Sequence, residues 1–201
     1  MSAHTDPSPL GDPARLPSRQ GLALALSIGL LYVVTVWFNR HILQAQNLFV
    51  GVSIFFLPAG VKLVGLLVAR HWGALGLLIS NFSMSMLEWD GVPWPLLLLM
   101  SAVWVGVTWA AVETLLRLMR LPADLSGMRF TQFIAIDATA AVLHALVYNA
   151  LLLQSGLRTD TDYLSATTGM ALGDFLGSGA FALMLLGLVA MLRRWSSRPN
   201  P

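Results

Sequence analysis

The chain of 201 residues has no cysteine, and Asp, Glu, Lys and Arg together make up only 11% of it. The first absence excludes disulfides, thiolate metal sites, iron–sulfur ligation and thiol nucleophiles, and it leaves the redox compartment open. The second excludes an ordinary soluble domain, which carries about 25% charged residues and about 45 to 50% apolar ones. Here the apolar share is 56%. A chain so short of charge belongs in a bilayer. The few basic residues lie scattered at the ends of apolar runs, so the formal charge of +2 does not indicate a nucleic-acid partner. At about 20 residues per span there is room for one bundle of roughly five to seven spans, and none for a soluble catalytic domain behind it.

Residues 1–20 hold Pro7, Pro9, Pro13 and Pro17 among Ser, Asp and Arg, too polar to bury surface and too rich in proline for a helix. They read as a disordered cytoplasmic tail. The apolar run 21–38 behind Arg15 and Arg19 superficially resembles a signal peptide, but it is longer than a usual h-region and ends in Trp37-Phe38-Asn39-Arg40 without a small-residue cleavage site. It is expected to stay as a first span. Further runs at 48–69, 72–87, 96–119, 130–153 and 169–192 bring the expectation to an all-α polytopic bundle of about six transmembrane helices. Together they form one membrane domain over 21–194, with a stub at 195–201 and no effector module after it. The run 72–87 is the weak one, at about 24 Å of helix with Ser80, Asn81, Ser83 and Ser85 inside it. A tilted, shielded or partly re-entrant segment fits it.

Six spans assign Arg15, Arg19, Arg70, Arg117, Arg120, Arg129, Arg193, Arg194 and Arg198 to one side and only Arg40 and Arg158 to the other. Positive residues are retained on the cytoplasmic side, so both termini are expected there. Trp37, Trp72, Trp89, Trp94 and Trp195 fall at span ends, where an indole is half solvated; Trp104 and Trp109 are mid-span. The halves of the chain differ in polar content and proline placement, which does not support an inverted-repeat transporter.

An ionisable side chain at membrane depth costs about 2.5 to 3.5 kcal/mol on insertion scales and usually faces the bundle interior with a partner. Five qualify: Lys62, Glu113, Asp137, His144 and Asp174. Glu113 lies one turn before Arg117 and reads as an ordinary i,i+4 pair. Counting from span midpoints at about 1.5 Å per residue puts Lys62 and Asp137 at matching depth, and Asp137 and Asp174 about 16 Å apart. Lys62 and Asp137 are therefore the expected pair, either as a structural link between helices or as part of a polar cavity. Asp137, Ala141, His144 and Tyr148 recur on one helical face.

Two glycine-bearing motifs flank these residues. Phe56-Leu57-Pro58-Ala59-Gly60 lies near the midpoint of the second expected span, where proline removes a backbone donor and a kink should follow. Beside Lys62 the freed carbonyl makes a candidate binding locus. Gly173-Asp174-Phe175-Leu176-Gly177 has the Gly-x-x-x-Gly spacing that lets helix backbones touch, which leaves Asp174 unexplained. These motifs, with Arg70-His71-Trp72-Gly73 between them, make residues 48–180 resemble the MASE1 membrane-associated sensor domains. That resemblance implies an input module of bacterial signalling in a bacterial inner membrane, with the Pro-Ala-Gly and Gly-Asp positions in or near its polar core. MASE1 domains usually have more spans and usually precede a histidine kinase or diguanylate cyclase. A signal from this chain would therefore have to pass to a separate membrane or cytoplasmic partner. Six-span substrate-binding subunits of vitamin uptake systems are a looser likeness.

Two functions compete. One is a non-enzymatic sensory or ligand-binding module in which Pro58, Gly60, Lys62, Asn81, Asp137, His144 and Asp174 form the site. In it Lys62 holds an anionic group and Asp137 neutralises Lys62 in the empty state. The other is small-solute transport, as a substrate-binding subunit or a proton-linked carrier using Asp137, His144 and Asp174. Intramembrane aspartyl proteolysis has little to rest on, because the first glycine of its Gly-x-Gly-Asp signature is Ala171 here and the expected separation of the two aspartates is too large for a shared water. No cofactor is expected. Of His4, His41, His71 and His144 only the last lies within a span, and paired axial haem ligands need two.

Overall fold

The computed structural model describes residues 17–43, 47–49, 52–53 and 55–196. Most of the expected tail and the last residues of the stub lie outside these. Five helices occur among the described residues: α1 (Ser18–His41), α2 (Pro58–Glu88), α3 (Trp94–Leu118), α4 (Phe130–Gln154) and α5 (Asp160–Ser196). A short antiparallel pair, β1 (Asn47–Phe49) and β2 (Val52–Ser53), precedes α2. All five helices are long and apolar enough to cross a membrane. Apart from that strand pair the regular structure is helical, and the five apolar helices make this a multi-pass membrane protein.

Five helices stand among the described residues where about six separate spans were expected. Residues 47–49 and 52–53 pair as strands, α2 starts only at Pro58, and its two legs are parted by a break at the boundary placed at 70–71. Pro58 is therefore the first helical residue, where its missing N–H costs nothing, and it produces no mid-helix kink. The break falls at Arg70, whose φ of 51° and ψ of −124° lie outside the helical region. That is the backbone of the first central position in a type II′ turn, normally glycine's place.

The break reverses the chain. A Cβ on Gly73 would sit 2.2 Å from the Gly65 carbonyl oxygen, although eight residues of straight helix would hold the two about 12 Å apart. Contacts with α1 agree. The Leu57 N–H donates to Asn39 Oδ1 at 3.0 Å, and Arg40 pairs with Glu88 at 2.6 Å, so both ends of α2 lie at the C-terminal end of α1. Trp72, just past the turn, lies against Gly21 at the other end. Thus α2 is a helical hairpin whose first leg, from Pro58 to Ala69, spans only about 18 Å.

Small residues set the close approaches. On α1, Gly21, Ala25, Gly29, Tyr32 and Val36 are buried, while Leu22, Leu26, Leu30 and Val34 form an exposed stripe suited to lipid. A Cβ on Gly76 would meet the Ala25 carbonyl oxygen at 2.0 Å, so the second leg of α2 packs backbone to backbone on α1. On α5, Gly177 stands equally close to the Phe56 carbonyl, and the Gly173 carbonyl accepts a hydrogen bond from Phe56 N–H at 3.1 Å. The Gly-x-x-x-Gly stretch thereby seats the irregular segment that opens α2. Its unpaired backbone is satisfied within the protein, as membrane depth demands. Gly60 continues this contact, packed on Phe181.

A buried charge cluster beneath an aromatic cavity

The first leg of α2 carries Lys62 into the bundle, where it is 3% exposed. Its ammonium donates to Asp174 Oδ2 on α5 at 3.0 Å and lies 3.2 Å from His144 Nδ1 on α4. His144 Nδ1 is in turn 2.9 Å from the same Asp174 oxygen. The Lys62 nitrogen also sits 4.3 Å from the centroid of the Trp104 ring on α3, a cation–π distance. Four elements thus meet around one ammonium–carboxylate pair. Uncompensated, either charge would cost several kcal/mol at this depth.

The pairing of Lys62 with Asp137 is corrected. Asp137 is buried on α4 but its carboxylate oxygens accept from Ser178 Oγ at 2.7 and 2.6 Å. That hydroxyl also lies 2.8 Å from the Asp174 carbonyl oxygen one turn earlier. Asp137 and Asp174 are therefore offset by about one helical turn, or about 6 Å, and not by 16 Å. Counting from midpoints assumed that every helix is centred at the same depth. A helix of 37 residues, about 55 Å long, overruns the hydrocarbon and is not so centred. The two carboxylates nonetheless have different partners: Lys62 and His144 for one, Ser178 for the other. Glu113 is corrected likewise, since it accepts from Arg70 Nη1 at 3.1 Å and so ties α3 to the turn of α2.

A cavity of about 600 Å³ opens above the cluster, toward the end of the bundle where Arg40 and Glu88 pair. Asp174, His144 and Trp104 line its deep part. Tyr32 and Tyr148 extend an aromatic wall: Tyr32 meets Trp104 edge-on at 5.3 Å, Trp104 meets His144 at 5.9 Å, and His144 meets Tyr148 at 5.6 Å between centroids. Asn81, on the second leg of α2, accepts from the Tyr32 hydroxyl at 3.0 Å and donates to Ser101 at 3.1 Å. Its weakly apolar segment, expected as a short third span, is polar because it forms this wall.

The expected site residues divide accordingly. Asn81, His144 and Asp174 line the cavity. Lys62 stands behind the last two, holding them, and is not among the lining residues. Asp137 adjoins the cluster through Ser178, while Pro58 and Gly60 shape the start of α2 and pack on α5. Tyr32, Asn39, Ser85, Met84 and Met170 also line the cavity and were not expected there. Tyr32 and Asn39 carried a faint signal, as hydrogen-bonding groups inside or at the edge of an apolar run.

One atom of the cluster has no partner. His144 is 1% exposed, and its Nε2 makes no hydrogen bond among the described residues. Leaving a buried polar atom unmet costs about 1 to 3 kcal/mol. Compared with protein-family models, with curated proteins and with solved structures, the chain matches none.

Proposed function

We propose that this chain is a non-enzymatic sensory or ligand-binding module of a bacterial inner membrane, both termini cytoplasmic, that takes a small molecule into its bundle and signals through a partner protein. The observation that carries this reading is the cavity of about 600 Å³, within the range of small-molecule sites, set over a buried ion pair. A core built only for stability gains little from such a pair, because well-packed apolar residues would serve as well or better. The likeness of the Phe56–Gly60 and Gly173–Gly177 segments to MASE1 motifs favours sensing. In this reading Asp174, not Asp137, neutralises Lys62 in the empty state. A ligand bound against Asp174 and His144 would alter that balance and so distinguish two states of the bundle, which any switch requires.

The test is retention of a compound. Wild-type protein in lipid nanodiscs, incubated with a metabolite extract and washed, should hold a species visible by mass spectrometry that empty discs lack. Ser85→Trp, which fills the cavity from a wall position, should lose it at unchanged helicity. Wild type holding nothing beyond empty discs would overturn the reading.

Small-solute transport is the second reading, favoured by one feature: α2 begins inside the bundle at Pro58, close to the charged cluster, and helices broken at a buried site are common in transporters. Accumulation of the retained compound by proteoliposomes, with and without an energising partner, separates the two.

A further inference from the structure

The turn between the two legs of α2 is strained at a residue that borders a recess. Arg70 holds φ 51° and ψ −124°, a backbone that suits glycine, and such strain persists only where the surroundings or a function hold it. Its partly exposed pair with Glu113 is a weak return, because exposed ion pairs contribute little. Arg70 also lines a cavity of about 350 Å³ between the turn and the C-terminal part of α3, together with His71, Trp109, Arg117 and Leu121. His71, Trp109 and Arg117 are exposed, so the recess is open to the outside. Arg117 makes no ion pair among the described residues, since the Glu113 carboxylate one turn before it is engaged by Arg70. Two guanidinium groups against one carboxylate leave the recess positively charged.

We infer that this recess binds a phosphate group, and that its setting selects the headgroup of an anionic phospholipid in the leaflet on the turn side. Guanidinium groups match phosphate oxygens with two parallel N–H bonds. Arg70 has donors to spare beyond the Nη1 that meets Glu113, and Glu113 holds that guanidinium in place. Trp109 supplies the second half of the match. It stands eight residues before Arg117 on α3, about 12 Å further into the membrane, and its exposed indole lines the same cavity. A phosphate ion needs only the charged end, whereas a lipid uses both, with its phosphate at the arginines and its glycerol and first acyl carbons along the indole. Basic pockets between helices at a membrane face bind anionic headgroups by this chemistry. Nothing in this site depends on what the larger cavity holds.

Dioleoyl phosphatidylglycerol and dioleoyl phosphatidylcholine share their acyl chains and differ in headgroup charge, so they probe the site directly; sodium phosphate and glycerol phosphate are the soluble sources. Native mass spectrometry of the full chain, with the two lipids equimolar in detergent, should show phosphatidylglycerol retained at least about five-fold over phosphatidylcholine. In Arg117→Gln and in Arg70→Gly that preference should vanish. Arg120→Gln, which removes a charge near the recess from a residue that does not line it, should keep it. Arg70→Gly discriminates binding from structure. It relieves the turn, so it should melt no lower than wild type in phosphatidylcholine nanodiscs, yet lose the rise in Tm that phosphatidylglycerol gives wild type. No preference in wild type, or equal loss in Arg120→Gln and Arg117→Gln, would overturn the site in favour of a diffuse basic face. Full preference in Arg70→Gly would overturn it too, leaving the strained arginine to serve the turn alone. Displacement of the lipid by millimolar phosphate or glycerol phosphate, with equal thermal protection, would uphold the phosphate site and overturn the lipid as its ligand.

Discussion

Lys62 and Asp174 show how a single side chain at membrane depth dictates its surroundings. Each is nearly sequestered from solvent, at 3% and 5% exposure, and each stabilises the fold only through the other. Removing one partner strands a buried charge and costs about 3 to 5 kcal/mol, whereas replacing both with apolar groups of similar size is often nearly neutral. Lys62→Met and Asp174→Leu alone should therefore each destabilise the protein by about that amount, and the double variant by much less. Reversible unfolding in mixed detergent measures all four corners of the cycle. Additive losses would show that the two side chains do not form a pair.

At the scale of elements, the bundle depends on backbone meeting backbone. Gly76 against Ala25 joins α2 to α1, and Gly177 against Phe56 joins α5 to the start of α2; a Cβ added to either glycine would stand 2.0 Å from a main-chain oxygen. A main-chain oxygen cannot swing aside, so Gly177→Ala should cost about 1 to 3 kcal/mol. Gly106→Ala, on α3 with nothing within 4 Å, should be neutral or stabilise by up to about 1 kcal/mol, since alanine suits a helix interior better. Thermal unfolding of the two variants side by side tests the contrast. Arg70 poses the opposite case, a large residue where the turn geometry suits glycine. Its backbone costs about 1 to 3 kcal/mol, while its partly exposed pair with Glu113 contributes about 0 to 1 kcal/mol. Backbone strain outweighs the ion pair, so Arg70→Gly should raise stability by about 1 kcal/mol, and a loss of that size would show that the pair dominates.

For the whole molecule, the hairpin in α2 decides topology. With the reversal, the turn at residues 70–71 faces the same side as the α3–α4 connection, and the α2–α3 and α4–α5 connections face the other. The absence of cysteine makes this directly measurable. Single cysteines at His71 and Ser126 should react with a membrane-impermeant maleimide from one face of a sealed vesicle, and those at Asp90 and Thr159 from the opposite face. A straight α2 would instead bury position 71 in lipid and leave it unlabelled. The basic residues gathered at the turn side, Arg70, Arg117, Arg120 and Arg129, lead us to expect that face in the cytoplasm.

Several features were legible without coordinates because they depend on composition or on spacing along one helix. The shortage of charge required a membrane, the apolar runs located most of the helices, and the 4-3-4 recurrence of Asp137, Ala141, His144 and Tyr148 marked a face that is indeed buried. Unusual cost singled out Lys62, His144 and Asp174 one by one. What remained hidden was which of them meet. Partner choice between helices depends on their axial offset, and that offset follows from contacts such as Gly177 on Phe56, which no periodicity records. The reversal at Arg70, by contrast, falls at the boundary expected between the runs 48–69 and 72–87. A hydropathy run cannot distinguish a spanning helix from a strand pair followed by a short helical leg, since both must be apolar, and only their packing against α1 and α5 settles where each begins.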